Sequence, residues 1–283
     1  MTERPGVLYV VATPIGNLED ISPRARQVLG AVALIAAEDT RHSGALLAHF
    51  GIATPLISLH DYNEADRTPQ LLKRLQRGES LALISDAGTP LISDPGFELV
   101  RAAQVAGLRV SPVPGPSALV AALSTSGLPT DRFVFEGFLP PKAAARRERL
   151  AALAAETRTL VFYESVHRLA DSLQDMRAAF GAERRAVLAR ELTKLHEAIV
   201  PAKLQGLCEL AATNTDLAKG EAVVLVAGAD ATESSAVSLE PDALLKALLE
   251  ELPLKQAAAL AARITGGNRN RLYKRALELC GRK

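Results

Sequence analysis

The 283-residue sequence contains no tryptophan, only two cysteines and 4% aromatic residues. Cys208 and Cys280 lie far apart without a CxxC pair or a Cys/His cluster, so we expect free thiols in a reducing compartment and no zinc site. The five histidines also lack the spacing of metal ligands. So few aromatic side chains leave few platforms on which single-stranded bases could stack.

Long hydrophobic runs are missing as well. No apolar stretch approaches the ~20 residues that a membrane helix needs, and the N-terminal stretch predicts a first strand and not a signal peptide. There is no GxxxxGK followed by Ser or Thr, no GxGxxG after a strand and no GxSxG. Kinase-like phosphoryl transfer, Rossmann dehydrogenase and α/β-hydrolase chemistry thus lack their diagnostic motifs. We expect a cytoplasmic protein with no membrane partner.

The charge is nearly balanced at +1, but it is unevenly distributed. Residues 254–283 carry a basic cluster in which Glu278 is the only acid. A basic segment on a neutral protein indicates a polyanionic partner, and a solvated helix face is the alternative that charge alone leaves open. The candidates for substrate contacts in this segment are Arg269, Arg271 and Lys274.

Short apolar runs alternate with segments of helical periodicity, which predicts α/β structure with a mostly parallel first sheet. A Pro-Gly-Pro stretch at 114–116 interrupts this alternation, so we predict two consecutive α/β domains, residues 1–115 and 116–230. A polar linker and a small C-terminal helical domain fill residues 231–283. The predicted strands are 7–12, 33–37, 55–59, 81–85, 108–113, 133–138, 159–164, 185–192 and 221–228.

The C-terminal segment predicts an amphipathic helix followed by two helices that are broken at Thr265-Gly266-Gly267. A helix, a glycine turn and a basic second helix have the outline of a helix-turn-helix. A three-helix bundle with no nucleic-acid role fits the same pattern.

Polar, Gly and Pro residues follow the first five predicted strands, where open α/β sheets collect ligands. The tetrapeptide LISD occurs twice in this region, ending at Asp86 and at Asp94. Asp94 precedes Pro95 and a helical segment, so it is predicted to cap that helix. Asp86 has no helix directly after it and is predicted to face a ligand. Asp39 is either a helix cap paired with Arg41 or part of the site.

The stretches VATPIGNLEDIS, AAEDTRHSGALL, LISDAGTPLISDPG, VPGPSALVAALSTSGLP and FYESVHR occur in this order. Together they resemble the ribosomal RNA small subunit methyltransferase I group of the tetrapyrrole methylases, the class III S-adenosylmethionine-dependent methyltransferases. The resemblance covers nearly the whole chain. It implies two α/β domains with S-adenosylmethionine in the cleft between them, usually a homodimer. It also implies 2′-O-methylation of a cytidine ribose in 16S rRNA of the small ribosomal subunit.

The resemblance also implies the residues that hold the methyl donor. Asp86 and Thr89 follow the fourth strand, Ser117 and Ala118 open the next helix, and the remaining positions lie after the first strand or in the second domain. The implied donor-binding residues are Pro14, Asp86, Thr89, Ser117, Ala118, Tyr163, Ala189 and Ala222. Ser85-Asp86-Ala87 stands where related tetrapyrrole enzymes often have Gly-Asp-Pro, which favours an RNA substrate over a porphyrinoid.

A ribose 2′-hydroxyl is a weak nucleophile at neutral pH, so a base should accept its proton. The candidates are Asp39, His42 and Glu191, with Arg41 orienting Asp39 or a phosphate. Asn17 and Lys194 are further substrate candidates.

Two other functions stay open. One is a methyltransferase for a tetrapyrrole or another small molecule. The other is a non-catalytic RNA-binding assembly factor.

Overall fold

The computed structural model describes residues 5–214, 220–230, 241–265 and 267–280. The chain divides into two compact units, one of residues 1–154 and 158–228 and one of residues 155–157 and 229–283. The first unit contains both β-sheets, and the second contains the C-terminal helices. Within the described ranges, no helix is long and apolar enough to cross a membrane.

The first sheet has five parallel strands in the order β3-β2-β4-β1-β5. Helices α1 and α2 cover one face and α3 and α4 the other. The interior strands β2 and β4 are buried at every position, which explains their unbroken apolar sequence. These elements are β1 Val7–Val11, α1 Pro23–Ala31, β2 Leu34–Ala37, α2 Thr40–His49, β3 Leu56–Ser58, α3 Glu64–Gln76, β4 Leu81–Ile84, α4 Phe97–Val105 and β5 Arg109–Val113.

The second sheet has the order β6-β7-β10-β8-β9 and is mostly antiparallel, since only β6 and β7 pair in parallel. Helices α6, α7 and α8 cover one face. Helix α5 and Ile15, from the loop after β1, pack on the other face and join the two halves of the unit. The elements are α5 Ala118–Thr125, β6 Phe133–Phe138, α6 Ala143–Ala152, β7 Thr159–Ser165, α7 Leu169–Phe180, β8 Arg185–Arg190, β9 Ala198–Lys203, α8 Leu204–Thr213 and β10 Glu221–Val226.

Sequence reasoning missed strand β9. It lies at the edge of the sheet, pairs only with β8 and contains Pro201. None of its six residues is buried, and Pro201 interrupts its short apolar run at 198–200, so the sequence signal for a strand is weak. Proline is tolerated on an edge strand because one side of the strand makes no ladder hydrogen bonds.

The second unit contains three helices: α9 Pro241–Glu251, α10 Leu254–Thr265 and α11 Arg269–Cys280. They pack around Leu245, Ala261, Leu272 and Ala276. The Asn268 side chain accepts the backbone N–H of Asn270 at 2.9 Å and so caps the N-terminus of α11. The predicted α/β class with a C-terminal helical region is confirmed.

Candidate active site

The loops that follow β1 and β4 are joined at the carboxyl edge of the first sheet. The backbone N–H of Thr13 donates to the Gly88 carbonyl at 2.8 Å, and the Gly88 N–H donates back at 3.1 Å. Gly88 has φ +81°, a conformation that L side chains rarely adopt. The buried Thr13 hydroxyl also donates to the Ser85 carbonyl at 3.2 Å. The Asp86 loop is therefore fixed against the first strand.

A second set of hydrogen bonds joins the loops after β2 and β4. Asp86 Oδ1 accepts the Asp39 backbone N–H at 3.0 Å. In return, the Asp86 backbone N–H hydrogen bonds to the Glu38 carboxylate, which partly opposes the rise in the pKa of Glu38 that burial causes. Both carboxylates thus hold backbone groups of the neighbouring loop.

The structure corrects the expected role of Asp94. Helix α4 begins at Phe97, and its N-cap is Gly96 with φ +121°. Glu64, a buried residue of α3, accepts the backbone N–H groups of Gly96 at 3.2 Å and Leu99 at 3.0 Å. Because Glu64 satisfies these donors, Asp94 is free to line the cavity.

The second sheet supplies the opposite wall through Tyr163 on β7. Its hydroxyl accepts the Leu119 backbone N–H at 3.1 Å, near the N-terminus of α5. The rings of Phe135 and Phe138 pack edge-on against it, with centroids 4.9 and 5.7 Å away. Burial, and less strongly the charge of Asp94, raises the pKa of Tyr163, so the phenol stays neutral.

These walls enclose a cavity of about 450 Å³, a size typical of small-molecule sites. Seven of the eight predicted donor residues line it, and Pro14 does not, although its neighbour Ile15 does. Donor binding by these residues stays a prediction. The seven are Asp86, Thr89, Ser117, Ala118, Tyr163, Ala189 and Ala222. The Thr89 hydroxyl also donates to the Pro116 carbonyl at 3.0 Å. This bond fixes the segment that immediately precedes α5.

The predicted catalytic residues on α2 do not line the cavity. Asp39 is the N-cap of α2, and its carboxylate accepts the backbone N–H of Arg41 at 2.8 Å. The Arg41 guanidinium lies 2.9 Å from Asp39 Oδ2 and holds the pKa of that carboxyl at about 2. A carboxylate with so low a pKa is a weak base, so the geometry does not favour Asp39 as the proton acceptor. His42 is exposed on the same helix.

Glu191 and Lys194 lie at the edge of the cavity and bind each other. Lys194 Nζ is 2.9 Å from Glu191 Oε1 and 3.3 Å from Glu221 Oε2. Burial favours a raised pKa for Glu191, but hydrogen bonds from Lys194 and the Glu221 backbone outweigh it and lower the pKa. The Glu191 carboxylate also packs on Gly220, where an added Cβ would lie 2.1 Å from Oε1. Both side chains therefore hold the loop after β8, which does not favour Glu191 as a base.

The remaining substrate candidates are not among the residues that line the cavity. Asn17 Oδ1 accepts the Glu19 N–H at 3.1 Å and caps a one-turn helix after β1. Arg269, Arg271 and Lys274 are exposed on α11 in the second unit.

The cavity is acidic. Five carboxylate residues and no Lys, Arg or His occur among the described residues that line it. Three of these, Glu38, Asp86 and Asp94, form no ion pair within the part of the chain that the structure describes. Burial and then Asp86 and Asp94 raise the pKa of Glu38, while burial and Asp86 raise that of Asp94 to about 6. Such a site favours a cationic ligand.

Glu38 and Asp94 were not among the predicted site residues. Glu38 was recognised only as part of the polar residues after β2. The repeat of LISD was the available signal for Asp94, but Pro95 directed the interpretation toward a helix cap. Only the position of Glu64, which lies 32 residues from Gly96 in sequence, shows otherwise.

The family model "Tetrapyrrole (Corrin/Porphyrin) Methylases" matches residues 7–208, and "RsmI C-terminal HTH domain" matches residues 235–279. A solved uroporphyrin-III-C-methyltransferase from Thermus thermophilus is similar with a TM-score of 0.56 and 23% identity, over 78% of this chain and 94% of that one. Another, complexed with S-adenyl homocysteine, has a TM-score of 0.53 and 19% identity over 78% and 97%. The chain belongs to the tetrapyrrole (corrin/porphyrin) methylase family.

Within that family, two relatives that share one name are similar to this chain over nearly its whole length. "Ribosomal RNA small subunit methyltransferase I" of Pseudomonas aeruginosa is 60% identical over 98% of this chain and 99% of its own length. The protein of the same name from Escherichia coli O157:H7 is 56% identical over 98% and 96%. The resemblance inferred from the five sequence motifs is confirmed.

Proposed function

We propose that the chain is an S-adenosylmethionine-dependent methyltransferase that methylates the 2′-hydroxyl of a cytidine in 16S rRNA of the small ribosomal subunit. The acidic cavity carries this proposal. Its three unpaired carboxylates suit a donor that bears a sulfonium and an ammonium group. Membership of a methylase family and the names of its relatives support the same reaction.

The donor-binding residues are those that line the cavity from both walls. Asp86 is the principal anchor, because its loop is tied to β1 through Gly88 and to the loop after β2 through Asp39. A fixed loop holds the methyl group at a defined distance from the acceptor oxygen, and this positioning supplies much of the rate enhancement. Tyr163 supports the opposite side through its bond to α5.

The acidic lining also restricts how RNA can enter. Phosphate groups are repelled by Glu38, Asp86 and Asp94, so only a single ribose and its base extend toward the donor. The phosphates bind outside the cavity, and the exposed basic residues Arg269, Arg271 and Lys274 of α11 are suited to them.

The reaction is tested with purified protein, S-adenosylmethionine and small ribosomal subunits from a strain in which the gene is deleted. We expect mass spectrometry of the rRNA nucleosides to show the gain of one 2′-O-methylcytidine. Naked 16S rRNA in a parallel reaction distinguishes free RNA from the assembled subunit as substrate. Methylation of a base, or none in either reaction, contradicts the proposal. Methylation of a tetrapyrrole by the same preparation would instead support the small-molecule alternative.

The RNA-binding role of α11 is tested by changing Arg269, Arg271 and Lys274 together to Glu. We expect weaker RNA binding and a flatter dependence of binding on salt, with unchanged affinity for S-adenosylmethionine. The matched control reverses three exposed basic residues of the first unit: Lys73 in α3, Arg77 directly after α3 and Arg101 in α4. Equal RNA affinity of the two triple variants favours the plain three-helix bundle.

We also infer that the protein is a homodimer that works in the cytoplasm, where its ribosomal substrate is. The family resemblance supports a dimer, and Val105 and Val120 offer exposed apolar surface in the first unit. Sedimentation velocity measures the mass in solution, and a monomer at all concentrations contradicts this inference.

A further inference from the structure

Two exposed aromatic side chains lie at the carboxyl edge of the first sheet, and neither lines the cavity. Tyr62 is 96% exposed and Phe97 is 63% exposed, in a chain of which only 4% is aromatic. Tyr62 lies two residues before α3, and Phe97 is the first residue of α4. The strands that precede these helices belong to the parallel sheet, so both helices begin at its carboxyl edge. Apolar rings in water gain free energy when a flat apolar partner covers them.

The turn that carries Tyr62 starts beside the cavity. The Leu59 backbone N–H donates to the Ala37 carbonyl at 2.8 Å, and the residue after Ala37 is Glu38, which lines the cavity. Burial and nearby carboxylates raise the pKa of Glu38, and Asp61, next to Tyr62, is one of these carboxylates. The Tyr62 turn is therefore within electrostatic range of the cavity lining.

Hydrogen bonds close this turn on both sides of Tyr62. The Asn63 side chain accepts the His60 backbone N–H at 2.9 Å, and the Glu64 backbone N–H donates to the His60 carbonyl at 2.9 Å. The Tyr62 ring meets the His60 ring edge-on, with centroids 6.1 Å apart. A side chain on so closed a turn loses little conformational freedom when a ligand stacks on it.

Phe97 is held at the start of the neighbouring helix. Glu64, the first residue of α3, accepts the Gly96 backbone N–H at 3.2 Å, so α3 and α4 begin side by side. Gly96 has φ +121° and packs on Leu83, where an added Cβ would lie 2.6 Å from the nearest methyl carbon. Asp94, three residues before Phe97, lines the cavity. Both rings are thus fixed near the cavity by the same pair of helix starts.

The charge of this edge determines which part of an RNA can contact it. Residues 59–66 and 85–98, which contain the two rings, include Asp and Glu but no Lys or Arg. Phosphate groups are repelled there, as they are from the cavity. A nucleotide whose ribose enters the cavity stays joined to its neighbours, so the flanking nucleotides must pass over the edge. The neutral face of an unpaired base is the part of those nucleotides that suits an aromatic ring among acids.

On these grounds, and resting on the proposed function, we propose that Tyr62 and Phe97 are stacking positions for unpaired bases that flank the target cytidine. Each ring covers the face of one base, and the acids around it keep the phosphates on the outer side of the strand. The low aromatic content predicted few stacking platforms, and the fold places two exposed rings at the edge that the RNA must cross. Stacking on a ring tolerates any base, so these residues position the substrate and do not read its sequence.

The test measures the binding of small ribosomal subunits from the deletion strain to the full-length wild type, Tyr62→Ala and Phe97→Ala at several salt concentrations. Loss of one stacked base should weaken binding about tenfold in each variant. No phosphate contact is lost, so the slope of affinity against salt should equal that of the wild type, unlike that of the triple variant of α11. In methylation assays the subunit concentration at half-maximal rate should rise about tenfold. The maximal rate and the affinity for S-adenosylmethionine should not change.

Two kinds of control separate stacking from other roles. Tyr62→Phe and Phe97→Tyr keep an aromatic face, so both should bind subunits as the wild type does. Phe133→Ala is the matched control, because Phe133 is also exposed but lies at the opposite end of β6 from Phe138, which lines the cavity. It should leave subunit binding unchanged. Sedimentation velocity should give the same mass for the wild type and all variants.

The proposal is overturned if both alanine variants bind subunits as tightly as the wild type, or if the aromatic replacements lose as much affinity as alanine. A flatter salt slope in the alanine variants also overturns it, because the rings would then act through phosphate contacts. A lower mass of these variants overturns it as well and assigns the rings to contact with a second copy of the chain. Failure of the proposed function is a separate result, since the wild type would then bind subunits without methylating them.

Discussion

Each wall of the cavity has three carboxylates at or beside it. The two sets differ in whether a cation is paired with them. On the second sheet, Glu164 is bound by Arg168, while Glu191 and Glu221 share Lys194. On the first sheet, Glu38, Asp86 and Asp94 form no ion pair with any residue that the structure describes. Two of these three have a raised pKa, whereas Glu191 has a lowered one.

This difference distinguishes carboxylates that stabilise the fold from carboxylates that are available to a ligand. A carboxylate with its own cation costs little to keep ionised and stabilises the loops that it joins. Three neighbouring carboxylates without a cation repel one another, and the fold tolerates this repulsion only at a cost in stability. Binding of a cationic donor would relieve it. We therefore expect the positive groups of the donor to lie against the wall with Glu38, Asp86 and Asp94, the unpaired wall, and not against the wall with Glu164, Glu191 and Glu221, the paired wall.

The largest effect on stability should come from the paired wall. Glu164→Gln removes the charge from a fully buried carboxylate and leaves the Arg168 guanidinium, which is 26% exposed, without its partner. We expect the free energy of unfolding to fall by about 3 kcal/mol, as for other broken buried pairs. Urea unfolding measures the loss. Glu183→Gln, in an exposed pair with Lys203, is the control and should cost less than ~1 kcal/mol.

The largest effect on donor binding should come from the unpaired wall. Asp86→Ala removes both a negative charge and the acceptor for the Asp39 N–H. We expect the affinity for S-adenosylmethionine to fall about 100-fold, equivalent to about 2.7 kcal/mol, while the protein stays folded. Calorimetry is the measurement. If the affinity is unchanged in a folded variant, the donor does not contact this wall.

The close packing of the paired wall can be tested at Gly220. An alanine there would place its Cβ 2.1 Å from Glu191 Oε1 at φ +88°. We expect Gly220→Ala to lower the free energy of unfolding by about 2–3 kcal/mol, the sum of backbone strain and displacement of Glu191. Gly51 has φ +66° with no atom within 4 Å of an added Cβ, so Gly51→Ala isolates the strain alone. Equal losses for both variants would mean that Glu191 moves freely.

Relief of repulsion in the unpaired wall should stabilise the free protein. The pKa of Asp94 rises from 3.8 to about 6 on folding, so its contribution is most favourable below pH 3.8 and is lost as the pH rises through about 6. Asp94→Asn cannot ionise and should exceed the wild type in stability above pH 6. After allowance for solvent screening we expect a gain on the order of 1 kcal/mol. Thermal unfolding at pH 4 and pH 8 tests this, and a variant that is less stable at pH 8 contradicts it.

The smallest effect on activity should come from a change of Asp39. This residue follows β2 of the first sheet, but its carboxylate is paired with Arg41. Its side chain is exposed and bound to Arg41, and asparagine is an equally good helix cap. We therefore expect Asp39→Asn to change the methylation rate less than about twofold. A large fall in rate with intact donor affinity would restore Asp39 as the base.

Much of the fold was predictable because buried strands have continuous apolar runs that are visible in the local sequence. The continuous apolar runs of β2 and β4 are buried at every position, and β6 was predicted at its observed bounds. Strand β9 was not predicted, since Pro201 interrupts its short apolar run at 198–200 and none of its positions is buried. The strand–helix alternation predicted the parallel first sheet, but it did not show that the second sheet is mostly antiparallel, because the strands of both sheets are similar apolar runs.

The candidate site was predictable in its location but not in its roles. Residues at the ends of parallel strands must meet at one edge, so the loop of Asp86 and Thr89 was expected there. Asp94 was assigned to a helix cap because Asp-Pro before a helical segment is a local signal for one. Glu191 was predicted to be a catalytic residue and Lys194 a substrate residue. The sequence does not reveal that the two form an ion pair, because this pair depends on the turn after β8.

The sequence by itself determined which segments form the buried strands, which edge of the first sheet carries polar residues and to which family the chain belongs. These features depend on the order of residues along the chain. Tertiary structure alone decided which carboxylates are neutralised and which are not, because that depends on partners distant in sequence. Glu64 caps α4 from α3 and thereby leaves Asp94 to the cavity. A pKa follows from burial and neighbouring charge, and both exist only once the chain has folded.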